Sequence, residues 1–455
     1  MAVMASILGA ATTVTRSVTG WLRSEASLAE KDVARARHPV SARRVVAQAA
    51  GMWLATRVAL LLITALAPAF NFAPIAPTAQ GVFSATPQFA SSLLPFLSSH
   101  PILANWARWD GSWYLLISLR GYDVFPADSS GFFPMYPLQV HLLTLLFGTG
   151  ALLPIALLLS NLASLAAFIG LGLLGAHEEQ QPERTAGAAT RLIKVTAAYP
   201  LAFFLFAPYA ESFLLACIVF SFLFARRGQW GWAAVCALLA GLTRPTAIAL
   251  VPALAWEYGR QHNLWRRETW RNGGWRSLGL WRAMVAALGV AASAPIGLGC
   301  YLLFLKFRYD DPLMPFTAQV RYHGRRFWLI WQTVGEYLWR FTHPGAWSLQ
   351  TLMLYLDGGL LFLFLIITLL NIHRLPLLYT LYMLATFYIL LGSPAPHRIE
   401  LIPSIGRYLL MAVPVFLLFS RWMKGRPWLE MLLVGGGFML QALFVVFFLN
   451  GAWIE

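Results

Sequence analysis

The chain has 455 residues, of which 58% are hydrophobic and only 12% carry a charged side chain. Soluble domains average about 25% charged residues, so this composition excludes a water-soluble globular protein. The net charge of +15 comes mostly from arginines that cluster at the ends of apolar segments, which is typical of membrane proteins and argues against a nucleic-acid partner.

The first part of the chain is basic and precedes the first apolar segment. Residues 1–45 form a predicted cytoplasmic N-terminal segment, because basic residues accumulate on the cytoplasmic side of membrane proteins. Residues 46–455 form a predicted transmembrane domain, which begins with a span over 46–70. Residues 71–150 are poor in basic side chains, and we expect them to form a first outer loop.

Two parts of this outer loop are predicted to lie in the membrane interface. Trp106, Trp109 and Trp113 are spaced by three and four residues, which predicts an aromatic stripe on an interfacial helix. Residues 132–148 are apolar but short, so they are predicted to form a juxtamembrane helix that dips into the outer leaflet. A short true span is the alternative for 132–148.

The middle of the chain predicts a span followed by two short hairpins. A span over 151–175 leads into a mixed-charge cytoplasmic loop at 176–194. The hairpins, 195–225 and 231–258, each lie between basic clusters that belong on the cytoplasmic side. Each arm is short for a bilayer span, so each pair of arms is predicted to form a short hairpin. Because the ends of both hairpins are cytoplasmic, the two apices, PYAE and TRP, point outward.

The remaining elements alternate across the membrane, with a second outer loop at 308–348. The total is about eleven spans in an all-α polytopic membrane protein. The predicted spans after the hairpins are 283–307, 349–371, 375–392, 405–420 and 428–449.

Several charged residues fall at the predicted outer membrane boundary, where an unpaired ion is costly. Asp110 is a candidate general base, or a carboxylate that caps a helix. Glu211 lies at the apex of the first hairpin, where it can also interact with the N-terminus of the next helix. Arg244 and Arg407 suit a phosphate group, with snorkelling to the membrane surface as the alternative.

The acidic pair Asp310–Asp311 precedes Pro312, and this pattern favours a capped turn over a divalent-cation site. Outer-loop histidines His323, His343 and His397 lack the spacing of metal ligands. No cofactor or metal is therefore predicted, although a divalent cation is compatible with the acidic pair.

Six stretches in this order resemble the PIG-V family of GT-C glycosyltransferases, whose eukaryotic member adds the second mannose of the GPI anchor. They run from Arg108 to Phe416, about two-thirds of the chain. One departure concerns the family's Gly-Asp-Pro, which is Asp310-Asp311-Pro312 here and leaves the turn geometry open. The stretches are RWDGSWYLLISLRGY, FFPMYPL, YPLAFFLFAPYAESFLLA, LLAGLTRPTAIALVPAL, YDDPLMPFTAQ and IPSIGRYLLMAVPVF.

The resemblance implies a GT-C-type fold and transfer of a sugar, with mannose expected, from a polyprenyl-phosphate donor to an acceptor hydroxyl, with inversion. Asp110 and Glu211 match the family's acidic catalytic positions, and Arg244 and Arg407 would hold the donor phosphate. Residues expected to support this site are Arg108, Tyr209, Asp310, Asp311 and Gln319.

The resemblance places the reaction on the extracytoplasmic face, and the arginine-rich, lysine-poor composition favours a bacterial plasma membrane. The acceptor class, whether glycolipid, glycan or protein, stays open. Two other functions also remain open. The chain could be a transporter or flippase of lipid-linked sugars, since broken helices mark binding sites in transporters, or a catalytically silent GT-C-like membrane subunit.

Overall fold

In the computed structural model of the protein, every regular element is helical within the residues that the structure describes. The predicted N-terminal segment lies almost wholly outside these residues, as does much of the first outer loop before residue 96. The described residues are 42–69, 93, 96–179, 185–271, 277–343, 345–346, 348–452 and 454.

The described residues contain twenty α-helices, several of them only one turn long. In chain order they are α1 (Ala42–Leu66), α2 (Pro101–Ala104), α3 (Asp110–Arg120), α4 (Pro126–Ser129), α5 (Met135–Phe147), α6 (Leu152–Glu178), α7 (Thr185–Ala197), α8 (Glu211–Arg226), α9 (Trp230–Thr243), α10 (Leu250–Gln261), α11 (Arg267–Arg271), α12 (Leu278–Tyr309), α13 (Met314–His323), α14 (Ile330–Thr342), α15 (Leu349–Leu370), α16 (Leu377–Leu391), α17 (Ile405–Leu409), α18 (Val413–Trp422), α19 (Pro427–Glu430) and α20 (Gly436–Leu449).

Five helical segments are long and apolar enough to cross a bilayer, judged by length and composition among the described residues. Large apolar side chains stay exposed on several of them, such as Phe307, which is 86% exposed. Lipid is the natural solvent for such a surface, and the chain is therefore an integral membrane protein whose described part is helical. The predicted total of eleven spans stays a prediction. The five segments are Ala42–Leu66, Thr149–Glu178, Leu278–Tyr309, Gln350–Leu370 and Pro427–Leu449.

The first outer loop differs in part from its prediction. Helix α3 begins only at Asp110, so the three tryptophans do not share one helix face. Trp106 is fully buried and packs with its ring centroid 4.7 Å from that of Phe206. The predicted interfacial stripe is thus wrong for Trp106, because this ring is used to pack the loop onto the helices.

The short helix α5 agrees with a juxtamembrane element. Its 13 residues span only about 20 Å, less than the hydrocarbon thickness of about 30 Å. The C-terminal end is covered with exposed apolar side chains, of which Leu146 is 76% and Phe147 70% exposed. These side chains suit a helix whose end is inserted into lipid.

The first predicted hairpin, 195–225, is not formed as predicted. Helix α7 begins at Thr185, inside the expected mixed-charge loop, and ends at Ala197. The buried residues 198–210 that follow contain only a short 3-10 helix before α8 begins. Pro200 and Pro208 lie in this stretch, and each removes a backbone donor that a continuous helix requires. We call 198–210 the broken segment.

Polar side chains from two long spans bind the carbonyl groups that the broken segment frees. Arg57 of α1 donates to the carbonyl of Leu205 at 3.2 Å. Gln441 of α20 donates to the carbonyls of Ala197 and Tyr199 at 3.1 and 2.8 Å. An irregular backbone inside a membrane protein needs such partners, because no water is present to replace them.

The second hairpin is confirmed, since α9 and α10 are joined by a 3-10 turn at Pro245–Ala249. The predicted span 405–420 is instead interrupted. Helix α17 ends at Leu409 and α18 begins at Val413, with Pro414 in the first turn of α18. The second outer loop is also partly helical, because α13 and α14 lie within 308–348.

Helices α9 and α12 approach each other closely through glycine. A Cβ atom at Gly297 would lie 2.1 Å from the carbonyl oxygen of Leu238, and one at Gly241 would lie 2.1 Å from the carbonyl oxygen of Ala294. Glycine therefore allows backbone-to-backbone contact at the helix that carries Arg244. A larger residue at either position would force α9 and α12 apart.

We expect Gly297→Ala to destabilise the protein by about 1–3 kcal/mol, as overpacking of a tight contact does. Gly299→Ala is the matched control, because a Cβ there meets no atom within 4 Å and alanine favours helix. Thermal unfolding in detergent should show a lower midpoint for Gly297→Ala only. Equal midpoints for the two variants would contradict the close contact.

Candidate active site

Four charged side chains from distant parts of the chain form one connected ion-pair cluster, which we call the outer cluster. Arg407 donates from Nη2 to Asp110 Oδ2 at 2.6 Å. The Nε atom of Arg407 lies 3.2 Å from Glu211 Oε1, and the same oxygen accepts from Arg244. Glu211 thus links the two arginines, and Asp110 extends the chain of charges.

Each member of the outer cluster lies where a helix begins or ends. Asp110 is the first residue of α3, and Trp109 before it has φ 51° and ψ −124°. Arg244 lies in extended conformation between α9 and Pro245. Arg407 belongs to the short helix that follows Ser404, which has φ 64°. Positive φ at non-glycine residues is strained and is concentrated at functional sites.

The outer cluster is shielded from solvent to different degrees. The side chains of Glu211 and Arg407 are 2% and 3% exposed, while those of Arg244 and Asp110 are 11% and 15% exposed. Buried charges persist only when they are paired, because an isolated ion is costly in a low-dielectric interior. Asp110 is the carboxylate of this cluster that an incoming molecule reaches most readily.

A third arginine, which the sequence analysis missed, joins this region. The guanidinium carbons of Arg244, Arg325 and Arg407 lie 5.2, 5.6 and 6.0 Å from the ring centroid of Tyr408. Arg325 donates to the carbonyl of Pro403 at 3.1 Å. The only signal in the sequence was basic charge in the second outer loop, and many surface loops share it.

Tyr209, one of the residues expected to support the site, lies beside the outer cluster. Its hydroxyl donates to the carbonyl of Arg108 at 2.9 Å, and the guanidinium carbon of Arg407 lies 5.3 Å from its ring centroid. The Arg108 side chain instead donates to Asn105 at 2.8 Å. Arg108 thus contributes its backbone to the support of Asp110, and its guanidinium interacts with the loop.

The structure does not bring the side chains of Asp310, Asp311 and Gln319 into hydrogen-bond or ion-pair contact with the outer cluster. The side chain of Asp310 is 89% exposed and pairs with Lys306. Asp311 accepts from the backbone amide of Leu313 at 2.9 Å, which is the capped turn that the sequence favoured. Gln319 has no hydrogen bond to the outer cluster and lies beside Gly131. Pairing of Asp310 and capping by Asp311 hold these two side chains at the surface of the outer loop.

Asp310, which stands where the PIG-V family has glycine, adopts a backbone conformation typical of glycine. Asp310 caps α12 with φ 58° and ψ 12°, the left-handed conformation that glycine adopts most easily. Aspartate is one of the few other residues that tolerate it. The turn geometry left open by the sequence is therefore the one expected of a glycine.

An exposed ion pair ties the end of α12 to the first outer loop. Arg308 donates to Asp123 at 2.7 Å, and the Tyr309 hydroxyl donates to Asp123 at 2.6 Å. These hydrogen bonds hold the pKa of Asp123 below its ordinary value. The contact is therefore present at neutral pH and is lost as the pH falls below the usual aspartate range.

A second buried ion network lies at the opposite ends of α6, α8 and α10, and we call it the inner cluster. Arg226 donates to Glu178 at 2.8 Å and to Glu257 at 3.1 Å. Arg260 donates to Glu257 at 2.6 Å, and Tyr379 donates to Glu178 at 2.8 Å. Arg226 and Arg260 belong to the basic clusters that flank the second predicted hairpin and were expected on the cytoplasmic side, but their side chains are buried.

Comparison of the chain with models of protein families, with curated proteins and with solved structures finds no match. Among the described residues, no group of three or more His, Cys, Asp or Glu side chains could hold a metal ion. The resemblance to the PIG-V family rests on the six sequence stretches alone.

We expect Glu211→Gln to destabilise the protein by about 3–5 kcal/mol, the usual effect of removing one partner from a buried ion pair. Two guanidinium groups would then face each other without the charge that links them. Asp123→Asn is the control, because it removes an ion pair of exposed side chains and should change little. Thermal unfolding in detergent measures both, and similar midpoints would contradict the bridging role of Glu211.

Proposed function

We propose that the protein is an integral membrane glycosyltransferase that uses a polyprenyl-phosphate sugar, with mannose as the expected sugar. The observation that carries this proposal is the outer cluster. Its members lie up to 297 residues apart in the chain. The sequence had assigned all four to one site: Asp110, Glu211, Arg244 and Arg407. Their direct contact is what a shared chemical role requires.

The charge balance near the outer cluster favours an anionic substrate. Three arginines surround Tyr408, whereas the cluster contains two carboxylates. One positive charge is therefore in excess, and guanidinium groups bind phosphate oxygens in pairs. The phosphate of a lipid-linked sugar is a suitable partner for this excess charge.

The two carboxylates differ in surroundings, and this supports different roles. Asp110 pairs with Arg407 and has the more exposed side chain, so we assign it as the general base. Glu211 contacts two arginines and is almost fully buried. We assign Glu211 as the positioning residue that holds Arg244 and Arg407 in place.

The proposed reaction exchanges one bond at the anomeric carbon. The acceptor oxygen attacks C1 of the sugar from the face opposite the phosphate, and the configuration at C1 inverts. The bond between C1 and the phosphate oxygen breaks, and its electron pair leaves with the polyprenyl phosphate. Asp110 takes the proton of the acceptor hydroxyl, and the arginines stabilise the charge that develops on the phosphate.

The location of the outer cluster also suits a lipid donor. Helix α8 begins at Glu211, and helix α9 ends just before Arg244. Both helices are shorter than the hydrocarbon core is thick. We propose that these two helix ends lie at a membrane boundary. A phosphate at this depth would leave its polyprenyl chain in the hydrocarbon. We propose that this boundary is the extracytoplasmic face of a bacterial plasma membrane, with a hydroxyl-bearing glycolipid, glycan or protein as acceptor.

A flippase for lipid-linked sugars would share the same phosphate-binding arginines. The distinction can be measured by labelling a cysteine at position 244 from each side of the membrane, in a variant without the native cysteines. Transfer chemistry requires access from one side only. Labelling from both sides would favour transport over transfer.

We expect Asp110→Asn to abolish sugar transfer, by at least about 100-fold, because the amide cannot accept the hydroxyl proton. The matched control is Asp311→Asn, which alters an exposed cap in the second outer loop and should keep wild-type transfer. Transfer from a radiolabelled polyprenyl-phosphate mannose, with the thermal midpoint as a folding check, measures the effect. Full activity of folded Asp110→Asn would overturn the assigned base.

We expect Arg325→Gln to raise KM for the donor about tenfold with a smaller change in kcat, since it removes the excess positive charge of the site. Arg326→Gln is the neighbouring control. A kinetic titration of the donor separates the two constants. An unchanged KM would place Arg325 outside the donor site.

A further inference from the structure

A cavity of about 370 Å³ lies at the end of the helices opposite the outer cluster. It is bounded by the first turns of α1 and α7 and by the turn between α18 and α19. Its lining includes three basic side chains and one acidic one: Arg44, Arg191, Lys194 and Glu430. The cavity therefore has an excess of two positive charges, which favours an anion.

The basic side chains differ in how far they are already used. Lys194 pairs with Glu430 at 2.7 Å. Arg191 donates from Nε to the carbonyl of Ser420 at 2.8 Å, and its Nη1 would lie 3.2 Å from a Cβ atom at Gly187, which also lines the cavity. Arg44 is exposed and forms no ion pair with any described residue. Arg191 Nη2 lies 3.9 Å from Glu179 Oε2, so Glu179 offsets one positive charge of the lining. Arg44 and the Nη1 end of Arg191 are the basic groups at the cavity that we assign to a ligand.

An exposed apolar side chain follows the acidic residue of this basic cavity. Met431, next to Glu430, is 73% exposed. It belongs to a segment that is long and apolar enough to cross the bilayer. A ligand held at the cavity would therefore have its polar part among arginines and its apolar part beside lipid-facing side chains.

We propose that this cavity binds the phosphate of an anionic phospholipid. Basic pockets between the ends of membrane helices recognise such headgroups, and the first turn of α7 adds backbone N–H groups that favour a phosphate. Arg44 and Arg191 contact the phosphate, and Lys194 contributes when it exchanges Glu430 for the lipid. The acyl chains lie beside Met431 and the apolar segment that it begins. This site is independent of the proposed sugar transfer.

Native mass spectrometry of the full-length, delipidated protein tests this site, with dioleoyl phosphatidylglycerol as the probe. Dioleoyl phosphatidylcholine and glycerol phosphate serve as comparison ligands. We expect the first phosphatidylglycerol to bind more tightly than either one. Equal affinity for phosphatidylcholine would overturn the anion requirement, and equal affinity for glycerol phosphate would identify a soluble phosphate as the ligand and overturn the lipid.

Substitutions of the basic and of the acidic side chains that line the cavity test the charge requirement separately. Arg44→Gln with Lys194→Gln should weaken phosphatidylglycerol binding about tenfold or more, whereas Arg43→Gln, on the same helix but outside the cavity, should not. Glu430→Gln should strengthen binding, because it removes the negative charge and frees Lys194. This gain cannot come from misfolding. Wild-type affinity in the double variant, or weaker binding in Glu430→Gln, would overturn the proposal.

Discussion

A single carboxylate, that of Glu211, determines how the outer end of this protein is assembled. Its Oε1 atom contacts Arg244 and Arg407 at once, and those arginines come from segments that are separated by more than 150 residues. Because these side chains are buried, each would be strongly unfavourable without the others. The N-terminus of α8, the end of α9 and the short helix α17 must therefore meet at one point.

This constraint explains why so many helices are interrupted around the outer cluster. A charged side chain at a helix end can approach others more closely than one in the middle of a straight helix. Because the broken segment ends at residue 210, Glu211 is the first residue of α8. Arg57 and Gln441 bind the carbonyl groups that this break exposes. Trp109, which has positive φ, likewise precedes Asp110, so that Asp110 is the first residue of α3. Interruption of the helices is thus the structural means by which the charges are gathered.

The inner cluster provides the matching constraint at the other end of the same helices. Helix α8 begins at Glu211 and ends at Arg226, a length of about 24 Å. Ion pairs therefore fix both ends of a helix that is shorter than the hydrocarbon core. The outer cluster is flanked by the strained residues Trp109 and Ser404 and contains one partly exposed carboxylate, whereas the inner cluster is closed and satisfied largely by its own members. We infer that the inner cluster stabilises the fold and that the outer cluster performs the chemistry.

The sequence predicted the outer cluster because its residues lie beside prolines and turn signals within apolar runs. PYAE and TRP are visible as charged apices, and the membrane makes such charges conspicuous. The same reasoning failed for Arg226 and Arg260, because a basic residue near a span end looks like a loop residue under the positive-inside rule. It failed for the broken segment because the break lies within an apolar run, where only Pro200 and Pro208 indicate it. Trp106 was misplaced because spacing alone cannot distinguish a lipid-facing ring from a packed one.

The identity of the bound lipid is the most direct test of the central claim, which is that the outer cluster holds the phosphate of a lipid-linked sugar. Mass spectrometry of lipids that co-purify with the wild-type protein and with Arg407→Gln compares an intact site with one that lacks a central arginine. The account predicts a polyprenyl-phosphate hexose with the wild-type protein and its loss from the variant. Absence of such a lipid from the wild-type protein, or equal amounts in both, would contradict it.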